Sequence, residues 1–493
     1  MNQIKNNKLL ELGFLYLLFL AFGIFFISSF GFTMPDDGWR HLAMASYPEQ
    51  VQSWGRIYPH TLYEDFDPWF MWHNLLRFVN NFVAIEKVPI VVNSIVYSFL
   101  SLWYFLALKK FTKIDKLFII ILAIGLPLLN YRYFFLRADI LSGLFVLYFL
   151  ISKNKILITA LAFIYAPFYY VFWFYFAYLG YLNLLLKEYS KFIILSLAMV
   201  FGFIFYLSYD FHGFLQMTQN VLNNDILLQG HSVGESKPFI ISLDIKNYLG
   251  SSLTLIFLML FSLLLYFVFK PTTLLTKYVY LLVPLFLIQF RFLYTLQPLL
   301  YIFFLHITYN SYTIIKKNNL TYFINLIKTF LKERTYFPNL ATRGKKIVVL
   351  ILLVLFFFYQ YTDNLKGYSK IQENLTQLNF LKENEFKNKK ILFSSMSTSV
   401  YMATFLNPSA SYVPGCSLGW VTYKNKKTYF NLLFNNKLNM NDFYIFLNEN
   451  KPDYLIIDTL ANSNFNFSHE EIKNNGFIFY KIINSKLIFR KIK

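Results

Sequence analysis

Two adjacent carboxylates, a guanidinium and an imidazole follow the first apolar stretch of the chain. The stretch runs from about 9 to 32, and Asp36, Asp37, Arg40 and His41 come directly after it. A stretch of this length crosses a bilayer. We therefore expect these side chains at a membrane face, where ionisable residues cost free energy and are usually functional. A carboxylate can take a proton from a hydroxyl while cations hold a departing phosphate, and the four residues together could supply both.

Helix capping is the other role open to the two aspartates. Asp is a preferred N-cap residue and is favourable in the first turn of a helix, and Pro35 is a common residue at a helix entry. Capping would account for one aspartate. It would not account for both, nor for Arg40 and His41 in the same turn.

The chain as a whole is too apolar for a soluble protein. Its residues are 56% hydrophobic and 21% aromatic, and repeated long apolar runs indicate a polytopic helical membrane protein. The single cysteine, Cys416, excludes an intramolecular disulfide and a cysteine metal cluster. The net charge of +20 does not point to nucleic acid as a partner, because basic residues beside membrane spans record topology.

Eleven membrane spans are predicted, at 9–32, 88–108, 117–131, 138–151, 156–166, 168–186, 192–209, 250–269, 278–289, 296–314 and 347–361. With the N-terminus in the cytoplasm, the inner connecting segments carry more than twice as many Lys and Arg residues as the outer ones. This is the bias expected of a membrane protein in that orientation. It places Asp36 and Asp37 on the outer side, together with the residues from about 362.

The membrane module, 1–361, has long connecting segments on both sides. The first outer loop, 33–87, includes Asp67 and Pro68, which predict the start of an amphipathic helix. We expect this helix to lie in the membrane interface with its tryptophans at headgroup depth. The inner loop, 316–346, is basic and partly amphipathic and is expected on anionic lipid.

The second long outer loop, 210–249, contains further ionisable residues. His231 and Glu235 lie in a short segment with two glycines, Gly230 and Gly234. This segment could close over a site. A solvated loop with no such role is the alternative interpretation.

Arginines in aromatic surroundings lie at the outer ends of later spans. Arg132, Arg137 and Asp139 belong to the connection between the third and fourth spans, and Arg291 lies at the outer end of the ninth. An outward arginine near membrane depth needs an anionic partner, either a carboxylate such as Asp139 or a lipid phosphate, which a guanidinium binds in a bidentate manner. A local ion pair, or snorkelling to the interface, is the alternative.

After the last span the composition changes to that of a soluble α/β domain, 362–493. Strands are predicted at 390–395, 454–458, 476–482 and 486–490, and a helix at 442–448. Asp458, at the end of a strand, is interpreted as structural. The sequence contains neither a Gly-rich phosphate loop nor a zinc motif.

The first outer loop has a distinctive local sequence, which consists of Asp36-Asp37-Gly38-Trp39-Arg40-His41-Leu42, Trp54-Gly55, Pro59 and Asp67-Pro68-Trp69. The predicted architecture places this acidic motif after the first span and follows it with about ten further spans and a terminal outward domain. The local sequence and the architecture both resemble bacterial members of the GT-C superfamily of integral-membrane glycosyltransferases. The resemblance implies inverting transfer of a sugar from a polyprenyl-phosphate donor to a lipid, glycan or protein acceptor on the outer face of the membrane.

The chemistry of that transfer assigns roles to the candidate residues. Asp36 is the candidate general base and Asp37 the second candidate, and because neighbouring carboxylates raise each other's pKa the two can share the role. Arg40 and His41 could orient the base or the sugar. The remaining candidates for substrate or phosphate binding are Arg132, Arg137, Asp139, Arg291, His231 and Glu235. No cofactor is certain, and a divalent cation such as Mg²⁺ or Mn²⁺ stays open.

Two other functions also fit a polytopic chain. A transporter or lipid-linked glycan flippase usually shows internal repeats and broken helices at the membrane midplane, and we find no convincing repeat. A non-catalytic membrane scaffold is the third possibility. Richness in Phe, Lys, Asn and Ile suggests an AT-rich bacterial genome, and hence an inner (plasma) membrane protein in contact with membrane lipids.

Overall fold

The structure is a computed structural model of the chain. It describes residues 2–30, 38–46, 66–112, 114–129, 136–138, 140–169, 172–223, 301–307, 342–393, 398–413, 447, 450–458, 469–483 and 486–492. Most of the described residues are helical, and a small sheet forms near the C-terminus.

The helices before the sheet begin with a long apolar helix and then alternate with short turns. They are α1 (Asn2–Phe30), α2 (Gly38–Ser46), α3 (Phe70–Asn80), α4 (Val88–Phe111), α5 (Lys116–Gly125), α6 (Ile140–Ile151), α7 (Lys155–Tyr165), α8 (Phe172–Leu185), α9 (Tyr189–Tyr209), α10 (Phe211–Asn223) and α11 (Thr342–Gln377). Short 3-10 turns precede α4 and extend α5 and α7. Residues 301–307 are also helical.

Three helices of the described chain are long and apolar enough to cross a membrane. They are Leu9–Ser29, Ile85–Phe111 and Tyr189–Tyr209. Large apolar side chains stay exposed along the first and third, among them Leu17 at 63% and Leu197 at 58%. Apolar faces of this kind are consistent with a hydrocarbon environment.

The predicted count of eleven spans is not reached within the described residues. The spans predicted at 250–269 and 278–289 lie outside them, and the one at 296–314 is described only at 301–307. Other predicted spans are helices that are too short to cross the bilayer alone. For example, α6 has 12 residues and α7 has 11, whereas about 20 are needed.

Helices α1, α4 and α5 pack side by side in alternating directions. α1 packs along α4, and α4 packs on α5. Glu11, near the start of α1, forms ion pairs with Lys109 at the end of α4 (3.5 Å) and with Lys116 at the start of α5 (3.1 Å). The opposite ends of these helices therefore meet at the other end of the bundle. That end leads into α2, α3 and the segment 136–138.

The end marked by Glu11 is also the basic end of the described bundle. Lys110 lies close enough to Lys153 and Lys191 to interact electrostatically with both. Lys110 lies in the last turn of α4, Lys191 in the first turn of α9, and Lys153 between α6 and α7. These three positions, which the sequence predicts on the cytoplasmic side, therefore lie at one end of the described bundle.

A close helix contact fixes α11 against α5. A Cβ atom on Gly125 would lie 2.1 Å from Cδ2 of Phe357, a distance that real side chains do not adopt. Phe357 is itself 7% exposed and belongs to the main apolar cluster. The missing side chain of Gly125 is thus what allows the two helices to approach.

The C-terminal part forms a five-stranded sheet of order β2-β1-β3-β5-β4. The strands and helices are β1 (Lys390–Phe393), α12 (Thr398–Leu406), β2 (Ser411–Val413), β3 (Tyr454–Asp458), α13 (His469–Asn474), β4 (Phe477–Ile483) and β5 (Lys486–Lys491). β1 is parallel to β2 and β3, whereas β5 is antiparallel to β3 and β4. The predicted strands are present, with β1 described to Phe393.

Four features of this part were not predicted. Helices α12 and α13 and the three-residue strand β2 were missed, and α11 continues to Gln377 without a break at the predicted boundary of 362. The helix predicted at 442–448 lies almost wholly outside the described residues. α12 packs against both α2 and α11, so the sheet domain contacts the membrane module at α2.

Candidate functional site

Helix α2 is buried on all sides although it is only nine residues long. Residues 38–45 are all buried, and Arg40 and His41 are 0% and 1% exposed. On one side α2 packs on α3, and on another it packs on α12, where the rings of Trp39 and Phe405 lie 5.3 Å apart. Buried charged residues need partners in the protein, so the surroundings of Arg40 and His41 define the site.

A chain of three buried polar side chains begins at His41. His41 Nδ1 lies 2.8 Å from Nε2 of His73, and Nδ1 of His73 lies 2.7 Å from Oδ2 of Asp67. His73 and Asp67 are 0% and 3% exposed. Both distances are those of good hydrogen bonds, and in a buried environment such bonds are electrostatically stronger than in water.

Arg40 lies at the other end of this chain. One of its terminal nitrogens is 3.4 Å from Nε2 of His41, and the guanidinium carbon is 4.5 Å from the centre of the Trp69 ring. The backbone N–H of Trp69 donates to Oδ1 of Asp67 at 3.0 Å. Arg40 is therefore held between an imidazole and an aromatic face, and both of these groups contact or lead to Asp67.

A second arginine approaches from the next connecting segment. Nε1 of Trp72 donates to the carbonyl of Leu136 at 3.4 Å, which tethers the segment 136–138 to α3. Arg137 in this segment is half-buried, and its charge acts on His41. Burial holds the pKa of His41 well below its usual range, and the positive charges of Arg40 and Arg137 lower this pKa further. His41 is thus a neutral imidazole close to two cations.

The structure corrects the prediction for the first outer loop. The helix begins at Phe70 rather than Pro68. Oδ1 of Asp67 still accepts the N–H of Trp69, two residues on, as a capping side chain does, and Oδ2 binds His73, which was not predicted. The tryptophans do not face the lipid headgroups. Trp69 and Trp72 are 5% and 0% exposed and belong to the protein core.

The exposed aromatic residues of this region lie further along. Phe78 and Phe82 are 59% and 72% exposed, and their rings are 5.0 Å apart. The apolar spacing of three and four residues in α3 is therefore real, but it describes a face that packs on the protein.

The structure brings together only part of the predicted site. Arg40, His41 and Arg137 form one cluster, as described above. The other predicted residues lie outside the described part of the chain: Asp36, Asp37, Arg132, Asp139, Arg291, His231 and Glu235. In sequence, Asp37 directly precedes the first residue of α2.

Sequence reasoning missed the roles of two residues in this cluster. Asp67 was considered only as a helix cap, and His73 was not considered at all. A signal was nevertheless present. Asp67 precedes a helix whose second turn carries His73, and the same outer loop also contains His41. A carboxylate and two imidazoles in one loop are enough for a hydrogen-bonded relay.

The described residues also bear on the open question of a metal ion. Within them, no three His, Cys, Asp or Glu side chains are arranged to hold a cation. Asp36 and Asp37, the carboxylates for which Mg²⁺ or Mn²⁺ was considered, are not among the residues searched. A divalent cation at this pair therefore stays a prediction.

Comparison with known proteins adds no relative. No protein-family model matches the chain, and no curated protein matches it. The resemblance to the GT-C superfamily thus stays a prediction from the sequence. Any functional conclusion has to come from the buried cluster around Arg40 and His41.

Proposed function

We propose that the chain is a membrane glycosyltransferase, which moves a sugar from a polyprenyl-phosphate donor to a hydroxyl group of a lipid, glycan or protein acceptor. One observation carries this proposal. Arg40, His41 and Arg137 cluster around α2, whose first residue directly follows the Asp36-Asp37 pair in sequence. The residues 36–41 therefore supply carboxylates that can accept a proton and a cation that can bind a phosphate. The neighbouring segment 136–138 supplies a second cation.

The two arginines supply what the leaving group needs. A guanidinium binds phosphate oxygens in a bidentate manner, and it keeps its charge when buried. Arg40 is fully buried and Arg137 half-buried, so their attraction for an anion is weakly screened by water. As the bond from the anomeric carbon to the phosphate oxygen breaks, negative charge grows on that oxygen, and nearby cations stabilise it.

The Asp36-Asp37 pair supplies the base. One carboxylate takes the proton of the acceptor hydroxyl while the hydroxyl oxygen attacks the anomeric carbon. The departing polyprenyl phosphate keeps the electron pair of the broken bond. Attack opposite the leaving group inverts the anomeric configuration. Because the phosphate is already a competent leaving group, no second carboxylate is needed as an acid.

The membrane arrangement belongs to the same proposal. We infer a polytopic arrangement with a cytoplasmic N-terminus and an outward C-terminal domain, in a bacterial inner membrane. The cluster of Lys110, Lys153 and Lys191 supports this orientation, because basic residues favour the cytoplasmic side. α2 and α3 are at the opposite end of the bundle, and so on the outer face.

The test compares the surface glycans and lipid-linked sugars of cells that lack the gene with those of cells that carry variants. Asp36→Ala, Asp37→Ala and Arg40→Gln are expected to remove the same surface sugar as the deletion and to accumulate its lipid-linked donor. Asp115→Ala is the matched control. Asp115 caps α5 at the basic end, where its carboxylate accepts from the N–H of Leu117.

Membrane abundance of each variant is measured alongside the glycans. The proposal fails if the deletion strain keeps a normal glycan and lipid profile. It also fails if abundant Asp36→Ala, Asp37→Ala and Arg40→Gln variants all restore the sugar in that strain. If the deletion leaves a lipid-linked glycan complete but on the inner face, the chain is a flippase.

A further inference from the structure

Arg40, His41, His73 and Asp67 form a buried relay of contacts. The groups at its two ends determine which atom donates and which accepts in each contact. At one end Asp67 is a carboxylate and can only accept, so Nδ1 of His73 must carry the proton and donate at 2.7 Å. A neutral imidazole has one N–H. Nε2 of His73 is then an acceptor, and the proton of the 2.8 Å bond belongs to Nδ1 of His41.

The other end of the relay gives the same direction independently. Arg40 can only donate, so Nε2 of His41 must be the acceptor in the 3.4 Å contact between them. Neutral His41 then carries its proton on Nδ1, as the first end requires. Burial and the nearby cations also favour a neutral His41. Each of the three contacts has one donor and one acceptor.

The second oxygen of Asp67 leads to the same guanidinium by another route. Oδ1 accepts the backbone N–H of Trp69 at 3.0 Å, and the indole of Trp69 lies 4.5 Å from the guanidinium carbon of Arg40. The ring of His41 also contacts Trp69, with centroids 5.4 Å apart. Both groups that contact Arg40 on these routes are thus held by one carboxylate.

We propose that Asp67 is a positioning residue that orients Arg40 for a lipid-linked phosphate, acting through His73 and His41 on one side and through Trp69 on the other. This role rests on the proposed function, because it names the ligand of Arg40 as the phosphate of the polyprenyl donor. Asp67 does not touch the ligand. Its effect is to fix the rotamer of the arginine before the phosphate arrives, which lowers the cost of ordering the site.

Replacing Asp67 with Asn should reverse the relay while keeping the size of the side chain. An amide nitrogen would donate to Nδ1 of His73, the protons of both imidazoles would move to Nε2, and an N–H of His41 would then face the donors of Arg40. We expect the affinity for the phosphate to fall by about 10- to 100-fold, which is the range typical when a group that orients a ligating side chain is removed.

The experiment measures binding of undecaprenyl phosphate to the full chain in lipid nanodiscs. The affinities of the wild type, Asp67→Asn, Arg40→Gln and the double variant form a thermodynamic cycle. If Asp67 acts through Arg40, its substitution lowers affinity in the wild type and has no further effect in the Arg40→Gln background. A general structural role would lower affinity in both backgrounds.

A second variant keeps the test decisive if Asp67→Asn does not fold. His73→Phe breaks the imidazole route and leaves the Trp69 route, so its loss of affinity should be smaller than that of Asp67→Asn and should also vanish without Arg40. Asp115→Asn is the matched control and should bind like the wild type. Additive effects of Asp67→Asn and Arg40→Gln, or a wild type that does not bind the probe, would overturn the proposal.

The outcomes separate this inference from the proposed function. A protein that binds undecaprenyl phosphate through Arg40 but whose deletion leaves every glycan intact keeps the positioning role and loses the transferase. If the deletion removes a sugar but Asp67→Asn and Arg40→Gln lower the affinity additively, the transferase function is kept and the positioning role is lost.

Discussion

At the scale of single residues, the site depends on where three protons lie. His41 and His73 are each expected as the neutral Nδ1-protonated tautomer, because Asp67 accepts at one end of the relay and Arg40 donates at the other. His306 offers a reference elsewhere in the described chain, since its Nδ1 donates to the carbonyl of Phe111. The relay therefore predicts which ring nitrogen of each histidine carries the proton, and this can be measured without a substrate.

Solid-state ¹⁵N NMR of the histidine-labelled protein in lipid tests the tautomers. The chain has seven histidines, and His41, His73 and His306 are expected to carry Nδ1–H. Asp67→Asn should convert His41 and His73 to the Nε2–H form and leave His306 unchanged. Retention of the wild-type spectrum in a folded Asp67→Asn variant would contradict the assigned direction.

The pKa of His41 predicts how stability depends on pH. Because this pKa is lowered in the folded protein, the unfolded chain takes up a proton that the folded chain does not, once the pH falls below about 6.5. Stability contributed by neutral His41 is thus present above that pH and is lost as the pH decreases, by at most about 1.4 kcal/mol per pH unit. Arg40, Arg137, His73 and Asp67 are the charged or titratable groups that surround it.

Thermal unfolding of the wild type and His41→Gln between about pH 8 and about pH 5 measures this effect. The wild type should lose more stability on acidification than the variant does. Equal pH dependence in the two proteins would mean that the pKa of His41 does not differ between the folded and unfolded states, which would contradict its burial beside two cations.

At the scale of helices and strands, the sequence predicted the type of secondary structure better than it predicted what each face contacts. The apolar spacing in 67–83 correctly indicated a helix, but the same pattern fits a lipid-facing and a protein-facing surface, so the burial of Trp69 and Trp72 could not be read from it. The second role of Asp67 was missed for a related reason. An Asp before a helix usually caps it, and Oδ1 of Asp67 does accept the N–H of Trp69, but only the fold shows that Oδ2 binds His73.

Long-range contacts were beyond the sequence altogether. The local feature of Arg137, Asp139 two residues away, predicts an ion pair and says nothing of His41. The bond from Trp72 to the carbonyl of Leu136 is what brings Arg137 to the site. The strand Ser411–Val413 was missed because three residues are too few to show an alternating pattern. Asp36, whose role as a base was predicted most specifically, lies outside the described residues and stays a prediction.

The contact between α5 and α11 yields a prediction at this scale. Gly125→Ala would place a Cβ atom 2.1 Å from the ring of Phe357, and the resulting displacement should cost about 1–3 kcal/mol of stability. This exceeds the gain of about 1 kcal/mol that alanine brings to a helix. Gly13→Ala is the control, because nothing lies within 4 Å of its Cβ position.

Unfolding of both variants in detergent is the measurement. Gly13→Ala should match or exceed the wild type, whereas Gly125→Ala should unfold earlier, and Phe357→Leu should partly restore it by removing the clash. If Gly125→Ala is as stable as Gly13→Ala, the two helices are not as close as described.

At the scale of the whole molecule, α2 lies between two bodies. α3 packs on it from the membrane module, and α12 packs on it from the sheet domain, where Trp39 and Phe405 are in contact. The sequence predicted both bodies but not the contact between them, because α12 was not foreseen. Residues that bear the proposed chemistry are thus enclosed by parts of the chain more than 300 positions apart.

The unbroken helix α11 connects the membrane module rigidly to the sheet domain. The number of residues in this helix therefore sets how the domain is rotated about the helix axis. Its 36 residues extend about 54 Å, well beyond a hydrocarbon core of about 30 Å. One alanine inserted after Lys366 should turn the domain by about 100° and swing Phe405 away from Trp39. The same alanine inserted after Asn474, at the exposed end of α13, should leave Phe405 in place. Crosslinking of cysteines placed at 39 and 405, with Cys416 replaced by serine, would report that torsion directly.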